Sequence, residues 1–103
     1  MDIRKIDYLY ETEFDIQETI NVLTYNRTIY WSWGVSKLYN CQNKGLLLKV
    51  NGHHFNNYVL ITLGWDDLYN VHYLNEKLVE VEKTEGVYFD MLVDIIDERI
   101  EKI

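Results

Sequence analysis

Proline is absent from the 103 residues, and cysteine occurs once, at Cys41. A single cysteine excludes an internal disulfide framework and suits a reducing cytoplasm. No apolar run approaches the ~18 residues expected of a membrane helix. The opening "MDIRKIDYLYETEF" has no hydrophobic region of the signal-peptide kind. The expectation is a soluble, cytoplasmic protein. Low-complexity tracts, internal repeats and linker-like segments are missing too, so the chain reads as one domain. No glycine-rich phosphate loop and no G-x-S-x-G motif occurs; Gly45, Gly52, Gly64 and Gly86 fall at element boundaries.

A local absence is less ordinary. The net charge is −7, yet residues 28–65 contain no acid, only Lys37, Lys44 and Lys49. Residues 1–27 hold six acids and three bases, and residues 66–103 hold eleven acids and four bases. Acids are depleted in central strands in any case. The functional alternative is a neutral-to-basic aromatic face on an acidic body, which would suit a partner.

What is present argues for a packed globule. Apolar residues make up 48% and aromatics 15%, which excludes disorder. Nine tyrosines against three phenylalanines place much of the aromatic mass on side chains with a polar tip, suited to surfaces and interfaces.

The segment "DIQETINVLTY" has Asp15 three residues before Glu18, the spacing of a capping box, and Ile16, Ile20 and Leu23 on one helical face. From Thr28 the period changes to two. Ile29, Trp31, Trp33 and Val35 alternate with Tyr30, Ser32, Gly34 and Ser36, which predicts a long first strand with both tryptophans in the core. Gly34 suggests a bulge or bend there. "YNCQNKG" is turn chemistry. Asn51-Gly52 predicts a type I′ hairpin turn between "LLLKV" and the strand ending "NNYVLITL". That register sets Val50 opposite His53, Leu48 opposite Phe55 and Leu46 opposite Asn57. One face then gathers Leu46, Leu48, Val50, Phe55, Val59, Ile61 and Leu63 as core.

"LYNVHYL" and "LVEVEK" predict the last two strands, with Tyr73 opposite Val79, Val71 opposite Val81, His72 opposite Glu80 and Asn70 opposite Glu82. "GVYFDMLVDIIDERIEKI" predicts a helix with Phe89, Leu92, Val93, Ile96, Ile100 and Ile103 as its apolar stripe and acids opposite. The predicted fold is α+β: a five-stranded antiparallel meander with an N-terminal and a C-terminal helix packed on one face.

Candidate chemistry is sparse. His54 and His72 fall on the non-core faces of their strands, with Glu80 as the only nearby acid. A metal needs three or four ligands, so no metal and no cofactor is expected. Asp66-Asp67 after Gly64-Trp65 has the spacing of a carboxylate pair, but reads better as a turn corner in which an Asp bonds its own backbone. Trp65 in that turn should be the most exposed tryptophan. Cys41 has Lys44 as its only basic neighbour in sequence, too little to make it a nucleophile. The acidic last helix reads as a solvated face, with mimicry of a phosphate backbone as the sharper alternative.

The face opposite the core gathers Tyr30, Leu47, Lys49, His54, Tyr58 and Leu60 without an acid before Glu80. An uncovered sheet face of that composition is the candidate binding surface. The segments "YWSWG", "LLLKVNG", "DDLYNV" and "GVYFDMLVDIID" together look similar to short, uncharacterised proteins of bacteria and their mobile elements. The likeness spans roughly residues 16–100, implies a single compact domain, and brings no activity or site residue with it.

The sequence therefore points to a small, acidic, non-enzymatic domain that binds another protein, or its own copy as a homodimer, through that face. The competing classes are an inhibitor or anti-defence regulator of phage type, a nucleic-acid binder and an enzyme with an unrecognised site. Nucleic acid is disfavoured by the net charge of −7, by only Arg27 and Arg99 beyond Arg4, and by the lack of an RNP-like motif.

Overall fold

Helix α1 (Ile16–Thr24) starts where the sequence offers a cap: the Asp15 carboxylate accepts the Glu18 backbone N–H at 3.0 Å. The computed structural model describes residues 3–52 and 54–101. Ile16 and Leu23 are buried on one face of α1 and Ile20 is partly so. Thr19, also buried, meets the Tyr69 hydroxyl at 3.2 Å.

The expected first strand is instead a helix. Asn26 caps α2 (Arg27–Ser32) by accepting the Ile29 N–H, and the helix ends on Trp33 with Gly34 at φ +62. A left-handed glycine just past the last turn is a common helix stop. A Cβ on Gly34 would also lie 2.6 Å from the Asn51 carbonyl oxygen. Alternation of Ile29, Trp31 and Trp33 misled because Ile29 and Trp33 are equally well four apart on a helix. Trp33 is fully buried with Ile29 and Tyr30 packed beside it, whereas Trp31 points outward at 72% exposure. Trp65 is the most exposed tryptophan, as expected, at 78%.

Five strands follow: β1 (Lys37–Cys41), β2 (Gly45–Lys49), β3 (Tyr58–Leu63), β4 (Tyr69–Leu74) and β5 (Glu80–Val87). They lie in the order β1-β2-β3-β4-β5, every neighbour antiparallel, the meander that short connections demand. The turn with two positive φ values lies one hairpin earlier than expected. Gln42 (φ 59) and Asn43 (φ 57) close β1 to β2, with Lys44 N–H bonded to Cys41 C=O at 3.0 Å.

Asn51-Gly52 is not a hairpin turn, and Gly52 does not adopt positive φ. β2 and β3 pair as Leu46↔Ile61 and Leu48↔Val59, and residues 50–57 form a longer loop between them. The loop is tied to other elements: Asn51 N–H to Trp33 C=O at 2.8 Å and His54 N–H to Ile100 C=O at 2.7 Å. Gly52 is needed for contact instead, since a Cβ there would clash with the Ile100 side chain and lie 2.8 Å from its carbonyl oxygen. His53 lies outside the described residues.

The β4–β5 register is displaced as well. Tyr73 faces Glu82, His72 faces Lys83 and Val71 faces Thr84, with bulges on either side. Asn75 captures the turn, its side chain accepting from Lys77 and Val79 N–H, and Leu78 takes a positive φ of 63. Val79 and Val81, expected opposite Tyr73 and Val71, are instead displaced from them and exposed. Charged residues along this edge strand discourage further strand pairing.

Helix α3 (Leu92–Ile100), entered through a short 3-10 turn (Phe89–Met91), buries Leu92, Ile96 and Ile100. Together α1, Trp33 and α3 pack on Leu46, Leu48, Val50, Phe55, Val59 and Ile61 of one sheet side. The opposite side has its own cover. A 3-10 helix (Ile3–Leu9) sets buried Ile6 against Cys41, Leu47, Leu60, Leu74 and Leu78. The chain then rounds the end of the sheet, bridging Thr12 to Leu63 and bonding Phe14 N–H to Asn43 C=O at 2.9 Å, before entering α1.

Two measurements check this placement. Trp33→Ala should cost about 3–5 kcal/mol in chemical denaturation, while Trp31→Ala should stay within about 0.5 kcal/mol. Equal costs would restore the strand. Gly52→Ala should destabilise through contact with Ile100, so Ile100→Ala should lower its cost in a double-mutant cycle. Simple additivity would place the cause in the glycine backbone.

Candidate protein-binding surface

The six residues expected on one open sheet face separate in space. Leu47 and Leu60 do share the side opposite the main core, but both are fully buried in the cluster with Ile6. The face is closed there. Lys49 and Tyr58 do meet, the ammonium lying 5.0 Å from the ring centroid at the margin of that cluster. Tyr30 belongs to α2 on the other side of the sheet, its ring 5.8 Å from that of Trp33. His54 is exposed in the 50–57 loop, its backbone joined to Ile100 and to Arg99, whose Nη1 donates to His54 C=O at 2.9 Å.

The residues with most chemical potential lie inside. Thr62 Oγ1 is 3.1 Å from His72 Nε2, and His72 Nδ1 is 2.6 Å from Glu80 Oε1. Hydroxyl, imidazole and carboxylate thus stand in the order of a nucleophilic triad. Thr62 has no exposed surface and His72 only 4%, so this hydroxyl offers no approach to a substrate carbonyl. The line satisfies buried polar groups across β3, β4 and β5. The sequence register had brought His72 and Glu80 together, although the strand pairing that does so differs. Burial pushes the Cys41 thiol up, against an opposing contact with Tyr10, which disfavours the reactive thiolate. Among the described residues no group of three or more His, Cys, Asp or Glu is placed to hold a metal ion. No helix among them is long and apolar enough to cross a membrane.

Asp66 behaves as the turn residue expected, accepting Leu68 N–H at 3.2 Å. Beside it Glu11, Trp65, Asn70, Glu85 and Gly86 border a shallow hollow. Glu11 is engaged by Asn70 Nδ2 at 2.8 Å.

A different surface is apolar and uncovered. Between α1 and the start of α3 runs a groove of about 560 Å³ lined by Glu18, Asn21, Val22, Tyr25, Phe89, Asp90 and Val93. The four from the α1 side stand at i, i+3, i+4 and i+7, one stripe of a helix. That stripe is rotated away from Ile16, Ile20 and Leu23, the residues that α1 turns to the core. Tyr25 is 93% exposed and Phe89 39%, so large apolar area faces solvent. Sequence reading missed this groove because its members come from segments some 65 residues apart: the α1 members lie on its polar side, while Phe89 and Val93 read as part of the buried stripe of the last helix.

No protein-family model matches the chain, and neither a curated protein nor a solved structure matches it.

The core has one anomaly among the described residues. The buried Tyr73 hydroxyl has no hydrogen-bond partner among the described residues. Its ring packs against Phe55 at 5.4 Å, with the Arg99 guanidinium 5.5 Å from the ring centroid. Burial pushes this phenol from 10.0 up to about 12, Glu82 adding to the shift and Arg99 opposing it. Burial raises Tyr10, Tyr30 and Tyr69 as well. A phenol whose folded pKa exceeds its unfolded one stabilises fully below the unfolded value, and that contribution is lost as pH rises through the folded one. The melting temperature should therefore fall from about pH 10 upward, less steeply in Tyr73→Phe. At neutral pH the same variant sheds an unpaired hydroxyl and should match or exceed the wild type, within about 1 kcal/mol. A variant several kcal/mol weaker would mean that the hydroxyl has a partner.

Proposed function

We propose that this chain is a non-enzymatic binding domain whose partner is another protein, docked in the groove between α1 and α3. One observation supports this above others: Val22, Tyr25, Phe89 and Val93 form an apolar trough that no part of the described chain fills. Apolar area of that kind gains free energy when another surface removes it from water. The groups with catalytic potential, Thr62 and His72, are spent on internal hydrogen bonds instead. The buried Cys41 thiol suits a reducing, cytoplasmic setting.

The helical side replaces the sheet side as the contact surface in this reading, because Leu47 and Leu60 already have a cover. Self-association through the groove is less favourable, since pairing two copies brings Glu18 and Asp90 of each toward those of the other.

The test compares variants that touch one surface each. In capture from the source cell's lysate, the wild type and Tyr58→Glu should retain the same partner, and Val93→Glu should lose it while keeping a wild-type circular dichroism spectrum. Loss from Tyr58→Glu alone would return the contact to the sheet side. Light scattering should report a monomer at micromolar concentration, and a dimer broken by Val93→Glu would make the partner a second copy.

A further inference from the structure

The chemistry around the groove narrows what fits it, granted that the groove is the binding surface. Its floor and walls are Val22, Tyr25, Phe89 and Val93, and the charged groups in its lining are Glu18 and Asp90, with no cation. Along α3 the acids continue: Asp94 and Glu98 follow Asp90 at successive turns, both exposed. Arg99, the one basic residue of α3, is turned away, with its Nε on Glu82 at 2.7 Å and its guanidinium over Phe55 and Tyr73. Helix α1 contains no basic residue.

We propose that the groove receives a basic amphipathic helix: a protein segment with an apolar ridge flanked by lysine or arginine. The shape argues for a helix, since two helix flanks form the walls and the i, i+3, i+4, i+7 spacing of Glu18, Asn21, Val22 and Tyr25 can mesh with the like-spaced ridge of a third. The charge selects the partner's sign. Carboxylates on both walls attract lysine or arginine, and they repel an acidic helix, an anionic lipid surface, nucleic acid and a second copy of this chain. The apolar floor separates this site from a plain acidic patch, which would attract any polycation without regard to shape.

Three labelled synthetic peptides of about 18 residues, five helical turns, test it by fluorescence anisotropy. One is a leucine/lysine amphipathic helix, one has glutamate for every lysine, and one has serine for every leucine. The leucine/lysine peptide should bind at least about tenfold tighter than either other, a difference of the size that one or two well-placed charge pairs supply. In nuclear magnetic resonance it should shift the Val22 and Val93 methyl signals of the wild-type protein. In the double variant Glu18→Lys, Asp90→Lys, both changes being on exposed side chains, the preference should reverse toward the leucine/glutamate peptide.

Equal binding of the leucine/lysine and leucine/glutamate peptides, with groove methyls shifted by both, would overturn the charge selection and leave the groove as a binding surface. Equal binding of the serine/lysine peptide would reduce the site to polyelectrolyte attraction and overturn the helix. No methyl shift with any peptide would remove both this inference and the reading it rests on.

Discussion

The buried indole of Trp33 is the constraint on which the helical side of the molecule depends. An indole is large enough to anchor a small core, but its N–H must find an acceptor once water is excluded. Asp97 of α3 supplies one at 3.0 Å, and the Trp33 carbonyl accepts Asn51 N–H at 2.8 Å. One residue therefore ties α2, the 50–57 loop and α3 together. The neighbours conform to it. Gly34 lets the chain leave Trp33 against Asn51, and Gly52 lets the loop touch Ile100. Arg99 closes the arrangement by reaching His54 C=O while stacking on Phe55 and Tyr73. A tight hairpin at Asn51-Gly52 would pull this loop away from α3 and leave the Trp33 carbonyl and the Ile100 carbonyl without these donors. Tertiary hydrogen bonds outweigh a local turn preference worth far less.

The second organising fact is that the chain crosses from one side of the sheet to the other before α1 begins. Residues 10–15 round the sheet's end through Tyr10 against Gly45, the Thr12–Leu63 bridge and the Phe14–Asn43 bond. Because of this strap, Ile6 lands on Leu47 and Leu60. Burial of three such aliphatic side chains stabilises by very roughly 1.5–3 kcal/mol each, which explains why a face with so much leucine is not a free contact surface. The sheet is thus sandwiched, and its remaining margin shows Lys49 over Tyr58 rather than an apolar patch.

Sequence periodicity read β2, β3, β4 and the outer helices well; it missed β1 (Lys37–Cys41), which lies partly within the expected turn "YNCQNKG", and it read the junctions badly. α1, with its Asp15 cap, and the buried stripe of α3 were legible because each repeats one period over nine residues. The sorting of Leu46, Leu48, Val59 and Ile61 from Leu47 and Leu60 was legible for the same reason, since strand faces follow parity whatever the turn does. The six residues of α2 were not, because so short a stretch fits either period, and the signals that decide it are Asn26 and Gly34 at its ends. The β4–β5 register failed because the loop has Leu78 in a left-handed conformation that glycine normally takes. The 3-10 cover was illegible because it is a seven-residue stretch whose only fully buried side chain among those described is Ile6, too little to declare a period. What hid the groove was different: no local pattern marks the space between two helices.

That space follows from how the helical layer is built. α1 presents Ile16, Ile20 and Leu23 to the sheet, which is all the apolar surface its own docking requires. Val22 and Tyr25 lie off that stripe, and Tyr25 sits just past the end of α1 with almost its whole ring in water. On the facing element Val93 touches the core while Phe89, one turn earlier, stays partly exposed beyond its contact with Tyr69 at 6.0 Å. The fold's own packing is complete without these outer aromatic and aliphatic surfaces, and a solvent-facing polar residue at 22 or 25 would cost it little. Surface apolar residues scattered singly need no explanation, but these converge from two helices on one trough between carboxylates. Under the binding proposed above, affinity would come from the floor and the choice of partner from the rim, as in interfaces where apolar anchors hold and charges select.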